Sequence, residues 1–168
     1  MIKYNDVELN KYFTDLGIIR SLSRLFSESA IPYLHYRIAE NLYCSSMYAQ
    51  NLSRADVSID AKKDTTGIAI KTFIDKKNRN LEKIAEFNKE LSLYNTLNTR
   101  EKVLKIASLR NKRIEFTLNA YGIKKIYYHC ISRDKKGFHL FEKPMNIINT
   151  SSIKIVSNKN NVIEFMTG

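Results

Sequence analysis

Glycine and proline are scarce, 5 and 2 in 168 residues, so the chain has few places for a flexible linker. Its length suits one domain with a real core and is too short for two comfortable ones. Only two cysteines occur, Cys44 and Cys130, far apart and without metal-type spacing, so they read as buried thiols of a cytoplasmic protein. No apolar run reaches the roughly 18 residues of a membrane span, and no basic-then-apolar leader opens the chain. Neither a spanning helix nor a secretory signal is therefore expected. There is no GxGxxG, no GxxxxGK followed by Ser or Thr, and no Gly-x-Ser-x-Gly elbow. A nucleotide cofactor is accordingly not expected. Internal repeats and low-complexity tracts are also missing.

Acidic residues are the minority: 17 Asp and Glu stand against 28 Lys and Arg, a net charge of +11. That excess points to a polyanionic partner, nucleic acid first, although compositional drift in a Lys-, Asn- and Ile-rich chain gives the same charge, and ribosomal or membrane-surface proteins share it. At 43% hydrophobic and 27% charged, the composition is globular.

The stretch 54–73 looks least like scaffolding. Its runs 55–62 and 67–73 alternate small or polar residues with Val57, Ile59, Ile68 and Ile70, the period of a half-buried strand pair, and Lys63-Asp-Thr-Thr66 makes the turn. This register sets Lys62 opposite Gly67, Asp60 opposite Ala69 and Ser58 opposite Lys71. One face then carries Asp56, Ser58, Asp60, Lys62, Ala69 and Lys71, and the other is apolar. Asp60 and Lys71 become diagonal neighbours, roughly 7–8 Å apart at the backbone. An acid on one strand and a lysine on the next suit metal-dependent phosphodiester cleavage. The carboxylate can hold Mg²⁺, a hard cation that takes oxygen ligands, and the ammonium can stabilise developing negative charge.

Asp60 followed by Ala69-Ile70-Lys71 resembles the active-site hairpin of the PD-(D/E)XK nuclease superfamily, and Gly67-Ile-Ala-Ile-Lys-Thr-Phe73 is similar to its lysine-bearing strand. The resemblance covers about twenty residues directly and, in element order, the first 130 or so. It implies a Mg²⁺-dependent DNA endonuclease of restriction type, a type II site-specific deoxyribonuclease-like hydrolase with Asp60 on the metal and Lys71 on the attacking water or the transition state. Ala69 departs from the pattern, since the family usually has Asp or Glu there. Some members supply an acid from an upstream helix; the candidate here is Glu40, with Asp56 and Asp64 as weaker choices. The plain alternative for the stretch is an exposed charged hairpin.

Glu40 falls in a helix expected over about 32–48, with Leu34, Ile38 and Leu42 on one stripe and Tyr33, Tyr36, Arg37, Tyr43 and Met47 on another. A carboxylate on such a face must be paired, protonated or bound to a cation. It is either a metal ligand or the partner of Arg37 or a nearby lysine. Upstream, Asn5-Asp6 caps a short helix through Tyr12, and Asp15 starts another that carries Leu16, Ile19, Leu22, Leu25 and Phe26.

Beyond the hairpin, Lys76, Lys77 and Arg79 are candidates for phosphate contacts, as is Lys62. The spacing predicts a helix over 80–95, and then a long one opened by Asn98-Thr-Arg-Glu101 and ended by Gly122, with Arg110 and Arg113 on its basic face. Strands follow at 124–132 and 138–142, and shorter apolar pairs at 147–148, 153–156 and 162–165. In the superfamily reading the first of these extends the central sheet. His129 and His139, isolated among aromatics, read as structural.

The expected class is α+β, or mixed α/β: a central mixed sheet with the hairpin, flanked by helices and followed by C-terminal strands. A nuclease-like core over about 16–132 and a β-rich extension over 133–168 form one domain. Ending on Thr167-Gly168 directly after a strand is what a fragment of a longer protein would show. DNA is the expected partner; a homodimer, a partner subunit or a missing C-terminal region stays open. The runner-up function is a non-catalytic DNA-binding or recognition domain of a larger nuclease, and a third is an interaction protein whose basicity is compositional.

Overall fold

The computed structural model describes residues 2–75, 87–159 and 162–167. They form two compact units, Met1–Glu82 with Thr117–Met145, and Lys83–Phe116 with Asn146–Gly168. Helices, a five-stranded mixed sheet and a two-stranded sheet make this an α+β protein.

The first unit opens with α1 (Asp6–Leu22), continued by a 3₁₀ turn at Ser23–Leu25. The Asn5 side chain accepts from the Glu8 amide and Glu8 accepts from the Asn5 amide, a reciprocal cap for two of the helix's orphan donors. The expected break at Asp15 is absent. Its carboxylate is held by Lys11 one turn back (2.7 Å) and by Ser46 (3.1 Å), and so it braces a continuous helix. Helix α2 (Tyr36–Ser46) starts later than expected, because the His35 ring accepts from the Arg37 amide and fixes the cap there.

The sheet runs in the order β1 (Gln50–Asn51), β2 (Ala61–Lys63), β3 (Thr66–Ile74), β4 (Lys125–Asp134), β5 (Gly137–Pro144). All neighbours are antiparallel except β3 and β4, which run parallel from Thr66↔Lys125 to Ile74↔Arg133. Alternation gives β3 two faces. Ile68 and Ile70 join Ala61, Ile131, Leu140 and Phe138 in the core beneath α1 and α2, with Tyr12, Leu16, Leu34 and Tyr43. Each large apolar side chain buried there stabilises by about 2 kcal/mol relative to exposure. The other face carries Gly67, Ala69 and Lys71. Gly67 is required by a close approach: a Cβ there would meet Ile59 at 3.0 Å, Ile126 at 3.1 Å and Ile123 at 3.2 Å.

The hairpin keeps the expected register, Lys62↔Gly67 across Asp64-Thr65, but its first strand is only 61–63. Residues 55–60 do not pair with β3 as a strand. The Ser58 amide goes to Thr117 Oγ1 (3.0 Å), not across to Lys71, and Leu52 donates to the Asp60 carbonyl (2.8 Å).

In the second unit, α3 (Thr99–Tyr121) contributes its residues up to Phe116, and Asn98 caps it by accepting from the Glu101 amide. Gly122 ends it at φ +60, as the sequence suggests. Val103 and Ala107 pack with Ile153 beside the hairpin β6 (Lys154–Lys159) and β7 (Val162–Met166). Asn111 bonds both polar groups of the Ile148 backbone, so 147–148 lies along the helix and forms no strand. Residues 80–86 of the helix expected at 80–95 lie outside the described residues; from 87 on the chain makes a 3₁₀ helix at Asn88–Leu93 in place of an α-helix. No helix among the described residues is long and apolar enough to cross a membrane.

Candidate active site

Because β2 begins only at Ala61, the edge of β3 beyond Ile68 has no strand partner on that side, and Asp60 fills the gap. Its amide donates to the Ile68 carbonyl (2.8 Å), and its Oδ2 accepts from the Ile70 amide (2.7 Å). The carboxylate is thus fixed beside the peptide that leads into Lys71, whose side chain is half-buried.

Glu40 reaches the same place from α2. One turn before it, Arg37 donates through Nη1 to Glu40 Oε2 (2.8 Å), to Ser53 Oγ (2.7 Å) and to the Ser53 carbonyl (3.2 Å). Asn51 Oδ1 in turn accepts from the Ser53 amide and hydroxyl, so one guanidinium ties the helix to the loop after β1. Of the alternatives the sequence leaves for Glu40, the pairing with Arg37 is present, and the same carboxyl is within electrostatic reach of Asp60 and Lys71.

The electrostatics show the convergence. Burial pushes the Glu40 carboxyl above the usual range, and the Asp60 charge pushes it further, against the pull of Arg37, the Ser53 hydroxyl and Lys71. Asp60 is raised by burial, with the Ile70 amide, Lys71 and Arg37 opposing. Cys44, one turn beyond Glu40, has its thiol pushed up to about 11 by burial and by the charges of Asp60 and Glu40. Two acids, an ammonium and a guanidinium therefore act on one another electrostatically.

Two carboxylates whose ionised forms are made costly by burial, and at Glu40 also by the Asp60 charge, fit a hard divalent cation, which would compensate both. Among the described residues no group of three or more His, Cys, Asp and Glu is gathered for a metal. A Mg²⁺ ion here would have Glu40 and Asp60 as its carboxylate donors, and this ion commonly takes one or two carboxylates and completes its shell with water and phosphate oxygens.

The remaining candidates separate. Ala69 is 1% exposed and offers only a methyl. Asp64 is on the exposed turn at φ +52, at the opposite end of β2 from Asp60, and Asp56 lies on an exposed bend. By register Lys62 shares the sheet face of Lys71. Arg110, which donates to the Asn146 carbonyl (2.9 Å), and Arg113 belong to the second unit. Lys76, Lys77 and Arg79 lie outside the described residues. His129 is buried and bonded to the Tyr12 hydroxyl (3.0 Å), while His139 contacts Asp134 (3.0 Å) on the surface. Sequence reasoning missed Ser53, whose link to Arg37 depends on a loop that no periodicity marks.

Comparison with protein-family models, with curated proteins and with solved structures found no match.

Proposed function

We propose that the protein is a Mg²⁺-dependent DNA endonuclease of restriction type, with Asp60 and Glu40 as the metal-holding acids and Lys71 as the catalytic cation. The observation that carries this reading is the arrival of Glu40, from a helix, within the electrostatic reach of Asp60 and Lys71, each acid felt by its neighbours. It supplies from elsewhere the acid that Ala69 lacks. The parallel strand β4 beside the lysine strand extends the sheet in the sense the nuclease resemblance implies, and the net charge of +11 suits DNA.

When bound, Mg²⁺ would supply Lewis-acid activation and neutralise phosphate charge. The chain's part is positional. The Ile70 amide fixes the Asp60 carboxylate and favours its ionised form, in which it would hold the metal. Lys71, next along the strand, would supply its ammonium to the negative charge that builds on the phosphate in the transition state. Arg37 pairs with Glu40 and is itself anchored on Ser53, so the acid stays oriented.

Plasmid DNA incubated with and without Mg²⁺ tests this. Wild type should cut only with the metal, and Asp60→Ala and Lys71→Ala should lose at least about a hundredfold in rate while keeping DNA affinity. Undiminished cutting by either variant ends the proposal. The buried methyl of Ala69 favours a second reading, a non-catalytic DNA-binding domain. In that case wild type binds in a salt-dependent manner and never cuts.

A further inference from the structure

The end of α1, the loop that follows it and the β4–β5 turn enclose a cavity of about 420 Å³. None of its lining residues belongs to the Glu40, Asp60 and Lys71 group, and none is acidic. Its charged residues are Arg20 in the last turn of α1, Arg24 in the 3₁₀ turn and Lys135 in the β4–β5 turn. Among the described residues none of these three cations has a carboxylate within ion-pair distance. Three like charges around one concavity repel each other, and an anion held between them removes that cost.

Arg20 and the turn that bears Lys135 are also held in place. Gly137, at φ +138, leaves bare backbone against which the Arg20 guanidinium lies: a Cβ there would sit 3.1 Å from Nη1 and 3.3 Å from Cζ. The turn bearing Lys135 is fixed by Asp134, whose Oδ1 accepts from the Lys136 amide (2.7 Å) and the Gly137 amide (3.1 Å) and contacts the His139 ring (3.0 Å). That carboxylate, the acid nearest in sequence to Lys135, is already used. Ser29 accepts from the Ile31 amide (3.1 Å) and keeps its own proton to donate.

We propose that this cavity binds a phosphate group. Two guanidiniums, an ammonium and a hydroxyl match its several acceptor oxygens, and the volume admits a phosphate with its attached sugar. In the DNA-cleaving reading, on which this assignment of source rests, the phosphate belongs to the backbone of the bound duplex, and the site anchors DNA at a point separate from the reacting one. A free phosphate or mononucleotide presents the same chemistry.

Two measurements on the full chain decide it: the rise in Tm with inorganic phosphate, and anisotropy of a labelled duplex in EDTA across a salt series. Arg24→Gln and Lys135→Gln should each lose part of one or both responses. The double variant Arg20→Gln/Arg24→Gln should weaken duplex binding about tenfold or more and flatten the log K against log salt slope by about one to two. If loss of the Arg20 contact with Gly137 unfolds the double variant, the two exposed single variants carry the test. Loss of the duplex response assigns the site to backbone phosphate, and loss of the inorganic phosphate response alone assigns it to a free phosphate. Arg24→Gln and Lys135→Gln that keep both responses, or a wild type with neither, overturn the proposal. Asp60→Ala should keep both. A wild type that never cuts, but whose duplex affinity falls in Arg24→Gln, removes the cleavage reading and leaves this site standing; cutting with unchanged affinities in these variants does the reverse.

Discussion

Glu40 and Glu142 are almost equally withdrawn from water, their side chains 8% and 11% exposed, yet their environments drive them in opposite directions. For both, burial works to raise the carboxyl. At Glu142 it is outweighed by the His129 ring 3.6 Å away, the Tyr4 hydroxyl and the Ile2 amide, and the carboxyl is held below the usual range. Around it Tyr4 bonds Tyr43 (2.9 Å), and the Tyr12 and Tyr43 rings pack on His129 at 5.5 and 4.8 Å. At Glu40 burial, the larger cause, is joined by the charge of a second acid, Asp60, and the carboxyl rises despite Arg37. Equal burial thus has two meanings. A carboxylate supplied with donors is cement; one set against another carboxylate is the kind a bound metal ion would relieve, as proposed for Glu40.

The comparison breaks first if Glu142 can be neutralised without harm. Glu142→Gln puts an amide N–H₂ among donors and should cost about 2 kcal/mol, lowering Tm by roughly 4–8 °C in a thermal melt. An unchanged melt would reduce Glu142 to an ordinary surface acid. Next in size is the response to metal. With Mg²⁺ at ten times its Kd, wild type and Glu142→Gln should both gain about 1.4 kcal/mol, and Asp60→Ala should gain nothing. A gain that survives in Asp60→Ala would place the ion elsewhere.

The pH dependence sharpens the same contrast. Because the folded-state pKa of Glu142 is depressed, its contribution is complete above the usual carboxylate value of about 4.3 and is lost as pH falls through the lower folded value. Melts of wild type and Glu142→Gln should therefore converge in acid and separate toward neutrality. The smallest effect is expected for metal-free Glu40→Gln. Relief from the Asp60 charge offsets the lost pairing with the 35%-exposed Arg37, leaving stability within about 1 kcal/mol of wild type. A large loss there would make Glu40 a structural acid like Glu142.

How much of this the sequence discloses depends on the range of the forces involved. The Lys62↔Gly67 register follows from alternation, since a slip by one residue would turn Ile68 and Ile70 out of the core. The start of α1 and both ends of α3 follow from caps that span three or four residues. What stayed hidden is long-range. Residues 55–60 alternate like a strand, but Thr117, 59 positions away, takes the Ser58 amide and Asp60 takes the Ile70 amide. Asp15 has the chemistry of a helix cap and instead finds Ser46. Arg37 and Glu40 are visible as a charge pair one turn apart, but nothing local shows that Ser53 anchors the arginine. The cavity between Arg20, Arg24 and Lys135 joins segments more than a hundred positions apart, beyond any motif.

The parallel pairing of β3 with β4 carries a consequence for synthesis. A ribosome that has delivered the first 75 residues has already made Glu40, Asp60 and Lys71, but the lysine strand then has only the three residues of β2 beside it, and so small a hairpin does not persist alone in water. Its full-length partner, Lys125–Asp134, emerges some fifty residues later. The nascent chain therefore holds the groups of the candidate site without holding their arrangement, and the arrangement arrives late and all at once, when the loop between the two strands closes.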